Sequence, residues 1–133
     1  MTKAVRGAIQ VGENSASAIE EAAARLMAEI LRVNRIAENH IVSILFSVTE
    51  DLTAANPATG LRRTGFSVTP LFCTQEPRID GALPRIIRAL VTYDSPRGGP
   101  AVPVYLDGAE GLRPDLAGNP PGGSANPPQG SAG

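Results

Sequence analysis

Cys73, Glu76 and Arg88 place a thiol, a carboxylate and a guanidinium on one short stretch of chain. Arg6, Arg62, Arg113 and the phenol of Tyr105 join them as polar groups at expected strand or helix ends. An arginine grips a planar carboxylate through two parallel hydrogen bonds. Several arginines beside one acid, one phenol and one thiol therefore suit a small carboxylated anion, held and stabilised as charge develops upon it. The missing groups narrow the chemistry further. His40 is the sole histidine, so a Ser-His-Asp relay has little to draw on and a histidine-based metal cluster is excluded. Cys73 could be a nucleophile, but no second histidine is there to activate it. No glycine-rich loop sits between strand and helix to cradle a phosphate. From the residues alone, enzyme and binding protein stand at even odds.

The elements that must position these groups follow from periodicity. Val68 to Phe72 reads as a short apolar strand that delivers Cys73 and then Glu76 at its end, and Pro77 takes the chain out of the sheet. A brief helical turn is expected around Ala82 to Arg85. Arg88 then opens a strand with Ile87, Ala89, Val91 and Tyr93 on one face and Arg88, Leu90 and Thr92 on the other. Upstream, Ala4 to Val11 is a strand carrying Arg6, and a lone strand arginine reads first as a side chain on a solvated face. Asn14 or Ser15 suits a helix N-cap. Behind it Ile19, Ala22, Ala23, Leu26, Ile30 and Val33 form the apolar stripe of a helix reaching to Asn34. Ile41 to Thr49 is a central strand, with His40 in a surface loop before it. Asn56, Pro57 and Gly65 supply the cap, first residue and terminator of a shorter helix, near whose end Arg62 and Arg63 favour the dipole. Asp94 to Pro103 is a Pro/Gly-rich loop, and Val102 to Leu106 the last strand.

At 133 residues the chain holds one domain with a real core. The domain is expected over residues 1–116, followed by a disordered Gly/Pro/Ser-rich tail over 117–133, which has no apolar pattern with which to dock. About five strands and two main helices imply an α+β fold, a mixed β-sheet covered on one face. The net charge is −1, with eleven arginines and one lysine, so a nucleic-acid partner has no electrostatic support. No stretch has signal-peptide character or the length of a membrane span, which makes a cytoplasmic protein without membrane contact the expectation.

Val5-Arg6-Gly7-Ala8, Ser47-Val48-Thr49-Glu50-Asp51-Leu52, Pro57-Ala58 followed by Arg62, and Cys73-Thr74-Gln75-Glu76 resemble the AroH-class monofunctional chorismate mutases. So do Ile87-Arg88, Val104-Tyr105-Leu106 and Leu112-Arg113-Pro114-Asp115-Leu116, in the same order and at compatible spacing over Ala4 to Leu116. The resemblance implies a homotrimer of AroH-type pseudo-barrel architecture with intersubunit active sites. Its reaction would be the Claisen rearrangement of chorismate to prephenate, towards phenylalanine and tyrosine, without cofactor, metal or covalent intermediate. A pericyclic step needs neither base nor nucleophile, which agrees with the missing groups. It needs a compact substrate conformer and stabilised charge separation.

By the same resemblance Arg88 lies at the ether oxygen, Arg6 grips a substrate carboxylate, and Glu76 orients the ring hydroxyl. Cys73 and Tyr105 are the pocket thiol and phenol. Leu71, Phe72, Thr74 and Gln75 would form a substrate-binding wall. Pro57, Ala58, Thr59 and Arg62 come to it from the second helix, and Leu112 and Arg113 from the closing segment. Arg62 and Arg113 match outer cationic positions. Two positions depart from the family: Asn56 stands where an aromatic is frequent and Thr59 where a cation is found. The competing reading is a RidA-like trimeric imine deaminase, which also places Arg and Glu in intersubunit clefts, or a non-catalytic small-carboxylate binding protein. The characteristic C-terminal arginine segment of the deaminases is not apparent here.

Overall fold

Ser15 starts the first long helix: its hydroxyl accepts the Ala18 N–H at 3.2 Å. The helix ends where Arg35 turns left-handed, at φ 53°, and its N–H closes onto the carbonyls of Leu31 and Arg32. Between these caps the apolar stripe is buried. Ile19, Ala23, Leu26 and Ile30 lie in the core as their spacing demands, together with Met27, and Ala22 and Val33 pack at its margin.

The computed structural model describes residues 1–112. The elements are β1 (Thr2–Gln10), α1 (Ala16–Asn34), β2 (Ile41–Val48), α2 (Pro57–Arg62), β3 (Leu71–Gln75), β4 (Ile86–Asp94) and β5 (Val104–Leu106). Short 3-10 turns lie at Glu38–His40 and Ala109–Leu112. The strands form one mixed sheet in the order β3-β2-β4-β1-β5. β4 runs antiparallel to both β1 and β2, while β3 is parallel to β2 and β5 parallel to β1. This is the expected α+β architecture of five strands and two main helices. No helix among the described residues is long and apolar enough to cross a membrane.

Strand parity sorts side chains between two faces. Val5 and Ile9, Ile44 and Phe46, and Ile87, Ala89 and Val91 meet α1 in the main core. Gly7 lets helix and sheet approach, because a Cβ there would come within 2.7 Å of Ile30 Cδ1 and 3.0 Å of the Val104 carbonyl oxygen. Arg6, Ala8, Leu45, Ser47, Arg88 and Leu90 point to the opposite face.

Three expected strand boundaries and one expected turn are corrected. The strand expected over Val68 to Phe72 is β3, beginning at Leu71 and running on to Gln75; Val68 is 89% exposed. The Arg62 guanidinium collects the carbonyls of Phe66, Ser67 and Thr69 and so holds that segment as a loop. The expected helical turn at Ala82 to Arg85 does not form. Ala82 N–H closes a turn onto Ile79, Pro84 has no N–H to continue it, and Arg85 is left-handed at φ 53°. The following strand starts at Ile86, not Arg88. The last strand starts at Val104, not Val102. Pro103 interrupts the ladder, and the Asn34 amide takes both the N–H and the carbonyl of Val102, at 2.7 and 2.9 Å.

Candidate active site

Arg88 and Glu76 reach the site from different strands. Arg88 lies on β4 opposite Ser47 of β2, and Ser47 lies opposite Thr74 of β3. Glu76 follows β3 directly, tied back by its N–H to the Val48 carbonyl at 2.7 Å. The three side chains converge. Arg88 Nε stands 2.6 Å from Glu76 Oε1, and Ser47 Oγ donates to that same oxygen at 2.6 Å. The Arg88 Nε–H is buried and does not point along the short contact, so the interaction is a close ion pair and not a hydrogen bond. Both side chains are largely shielded, at 31% and 19% exposure, so solvent screens this pair less than a surface bridge.

Two cavities meet at Ser47 and Arg88. The smaller, about 200 Å³, lies between Arg6 and Arg88, with Leu45, Leu90 and Tyr105 around it and no carboxylate on its wall. Two guanidinium groups face this space with no acid on its wall, and Glu76 offsets one of their charges from the neighbouring cavity, so the space suits a single anionic group. Arg6 is exposed and makes no ion pair among the described residues. The larger, about 650 Å³, is walled by Thr74, Gln75 and Glu76, by Ile79 and Leu83 of the following loop, and by Leu112. Tyr105 is buried beside Ala8, Ile86 and Leu112, which fixes the ring's position.

The structure thus brings Arg6, Glu76, Arg88, Tyr105, Thr74, Gln75 and Leu112 together in one subunit. It does not bring Cys73, Leu71, Phe72, Pro57, Ala58, Thr59 or Arg62 to these cavities. Cys73 pairs with Phe46 and packs on the main core, the opposite face of the sheet. Leu71 packs on the same side, while Phe72 faces outward at 67% exposure. Pro57 is buried in α2, and Arg62 is occupied by three backbone carbonyls. Arg63 bonds Glu20 across the two helices at 2.8 and 2.9 Å. Arg113 and the segment 117–133 lie outside the described residues.

Ser47, Ile79 and Leu83 line the candidate site and were not singled out from the sequence. Ser47 had a signal: a hydroxyl in an apolar strand, in phase with Leu45 and out of phase with Phe46. Ile79 and Leu83 had none, since they belong to an irregular loop.

Burial pushes the Cys73 thiol above its ordinary pKa, so it stays protonated at neutral pH. A thiol whose thiolate is disfavoured is a poor nucleophile. Cys73→Ala is accordingly expected to lower kcat by less than about tenfold, because the side chain lies outside both cavities and so its loss adds little to the barrier itself. Steady-state kinetics on the purified variant check this, and a loss of several hundredfold would contradict it.

The comparisons with known proteins agree with this geometry. The family model described as chorismate mutase type I matches residues 2–116. The chain is 39% identical over 118 residues to chorismate mutase AroH of Thermus thermophilus, covering 87% of this chain and 97% of that protein. It is 31% identical over 119 residues to chorismate mutase AroH of Bacillus subtilis (strain 168), covering 88% and 94%. Among solved structures, a chorismate mutase from Clostridium thermocellum superposes with a TM-score of 0.78 at 36% identity, covering 81% of this chain and 97% of that one.

Proposed function

The chain belongs to the type I chorismate mutase family, and we propose that Arg88, Glu76 and Arg6 are the groups by which it converts chorismate to prephenate. The protein is an isomerase of aromatic amino acid biosynthesis. The observation that carries the assignment of residues is the shared oxygen: Glu76 Oε1 takes both Arg88 and Ser47, which leaves Oε2 as the acceptor for the substrate.

The rearrangement breaks the ether C–O bond as a C–C bond forms, and no proton changes place. Negative charge gathers on the ether oxygen and positive charge on the ring. Arg88 answers the first through a guanidinium held in place before the reaction begins. Glu76 accepts the ring hydroxyl and lies near the developing positive charge. Arg6 holds a carboxylate across the smaller cavity. Leu45, Leu90 and the buried Tyr105 give that cavity apolar walls, which strengthen these interactions relative to water.

We further infer that the working unit is a homotrimer with sites between subunits. Support comes from the face that carries the cavities: Leu45, Leu90 and Phe72 are exposed there at 39%, 43% and 67%. Apolar groups around a cationic cavity call for a cover. A second copy supplies one, and could bring the positions that stand away from the site within one subunit. The test follows chorismate absorbance after adding purified protein, with sedimentation equilibrium at the same concentration. Loss of absorbance by a trimer is the expected result. A monomer that turns over chorismate at the same rate would overturn the shared site, and an unchanged absorbance would overturn the catalytic assignment.

A further inference from the structure

We propose that Thr49 and Asp51 are positioning residues for Arg88, acting through the backbone at the start of β4. This rests on the reading of Arg88 given above. Neither side chain belongs to the ion pair or to the smaller cavity. Both are spent on the chain two and three residues ahead of Arg88.

The bonds are specific. Both carboxylate oxygens of Asp51 accept the Arg85 N–H, at 3.1 and 3.0 Å. Thr49 Oγ1 accepts the Ile86 N–H at 3.0 Å and donates its own proton to Asp51 Oδ1 at 2.5 Å. The Thr49 N–H donates to the Ile86 carbonyl at 3.1 Å. Arg85 is left-handed, a conformation unfavourable for a residue with a Cβ, so it persists only where its surroundings hold it. Opposite, its carbonyl accepts the Val11 N–H at 2.7 Å and its Nε donates to the Val11 carbonyl at 2.8 Å. Arg85 is gripped from β1's end and from β2's end at once.

This grip sets register. Thr49 caps β2 against the first residue of β4, which places Val48 opposite Ile87 and Ser47 opposite Arg88. A slip of one residue would turn Arg88 to the α1 face and Ile87 towards the cavity. The same end of β2 also positions Glu76, whose N–H is held by the Val48 carbonyl. One short segment, Val48 to Asp51, therefore aligns both members of the ion pair. Small errors there matter, because a guanidinium must lie at the developing charge within a fraction of an ångström to act on it.

The experiment compares Thr49→Val, which keeps the shape and removes the hydroxyl, with Thr49→Ser, which restores it. Asp51→Asn is measured alone and together with Arg85→Gly, since glycine adopts the left-handed conformation freely. Thr49→Val and Asp51→Asn should lower kcat by about tenfold or more with KM for chorismate nearly unchanged, the pattern of an interaction realised in the transition state. Thr49→Ser should stay near the native kcat, and Arg85→Gly should recover part of the Asp51→Asn loss. In an Arg88→Lys background, Thr49→Val should add little, because its route is already broken. Native kcat in Thr49→Val and Asp51→Asn, with only a lower Tm, would overturn the proposal. So would an undiminished Thr49→Val loss in the Arg88→Lys background. If either variant fails to fold, the Thr49→Ser kcat and the Arg85→Gly single variant decide. Arg85→Gly keeps the backbone bonds to Asp51 and Val11 and gives up only the Nε contact, so its kcat should fall by no more than a fewfold; a larger loss there with Thr49→Ser also impaired contradicts the proposed route. Full activity of Arg88→Lys itself would instead strike the reading of Arg88 and leave the grip's effect on kcat separately measurable.

Discussion

Replacing Arg88 by citrulline is expected to lower kcat by at least the upper end of the ~10²–10³ range that loss of one preorganised donor produces, or roughly 3–4 kcal/mol. Citrulline keeps the planar shape and removes the charge. The ether oxygen gains negative charge only as its bond lengthens, so a fixed cation there stabilises the transition state more than the bound substrate, and turnover falls while KM changes less. The ion pair adds to this. Without the cation, Glu76 Oε1 faces a neutral urea at the position now 2.6 Å away, in a site that water screens poorly. Arg88→Lys retains the charge but loses the planar fork and some reach, and it should remain severely impaired. Single-turnover kinetics on the three proteins separate charge from geometry. Near-native turnover by the citrulline variant would rule out electrostatic stabilisation by Arg88.

The second large effect is expected at Glu76. Glu76→Gln preserves the shape and one oxygen for Ser47, and removes the charge. We expect kcat to fall by about 10²-fold, the lower end for a group aimed at developing charge. Two losses combine: the carboxylate no longer accompanies positive charge on the ring, and Arg88 loses the partner that orients it. Glu76→Asp keeps the charge but withdraws it by one methylene from both Ser47 and Arg88, and should fall between. A chorismate analogue lacking the ring hydroxyl tells the two losses apart. If hydroxyl orientation dominates, Glu76→Gln should hurt the analogue much less than chorismate. A variant with native kcat and only a raised KM would mean that Glu76 binds ground and transition states equally.

The positions that departed from the family, Asn56 and Thr59, gain a structural reading at one of the two. Asn56 is the N-cap of α2, its Oδ1 accepting the Ala58 N–H at 2.8 Å. A side chain that caps a helix in this way stabilises it by about 1 kcal/mol. Thr59 is exposed on α2 and has no structural partner that explains it.

Much of the fold was legible because its causes are local. Ser15, one of two candidate caps, and Asn56 cap their helices, and Ile19, Ala23, Leu26 and Ile30 are buried as their period demands, with Ala22 and Val33 at the margin. Arg88 and Leu90 share a face opposite Ala89 and Val91 by alternation alone. Even the separation of Cys73 from Glu76 had a trace in the sequence, since an odd spacing puts two residues of an extended segment on opposite faces. One charge in an apolar strand placed Arg6 on the face away from the core, but not on the wall of the smaller cavity, where the structure puts it. What only the tertiary structure decided depends on pairing between distant segments. β3 begins at Leu71 because Arg62 ties off the preceding loop and β2 offers a parallel edge from Ile44 to Val48. The left-handed Arg85 exists because Asp51 and Val11, far apart in sequence, both hold it. The convergence of Ser47, Glu76 and Arg88 requires the register of three strands at once. Such contacts are selected by the closure of the whole sheet, where each strand's position is set by its neighbours, and no window of sequence contains both partners.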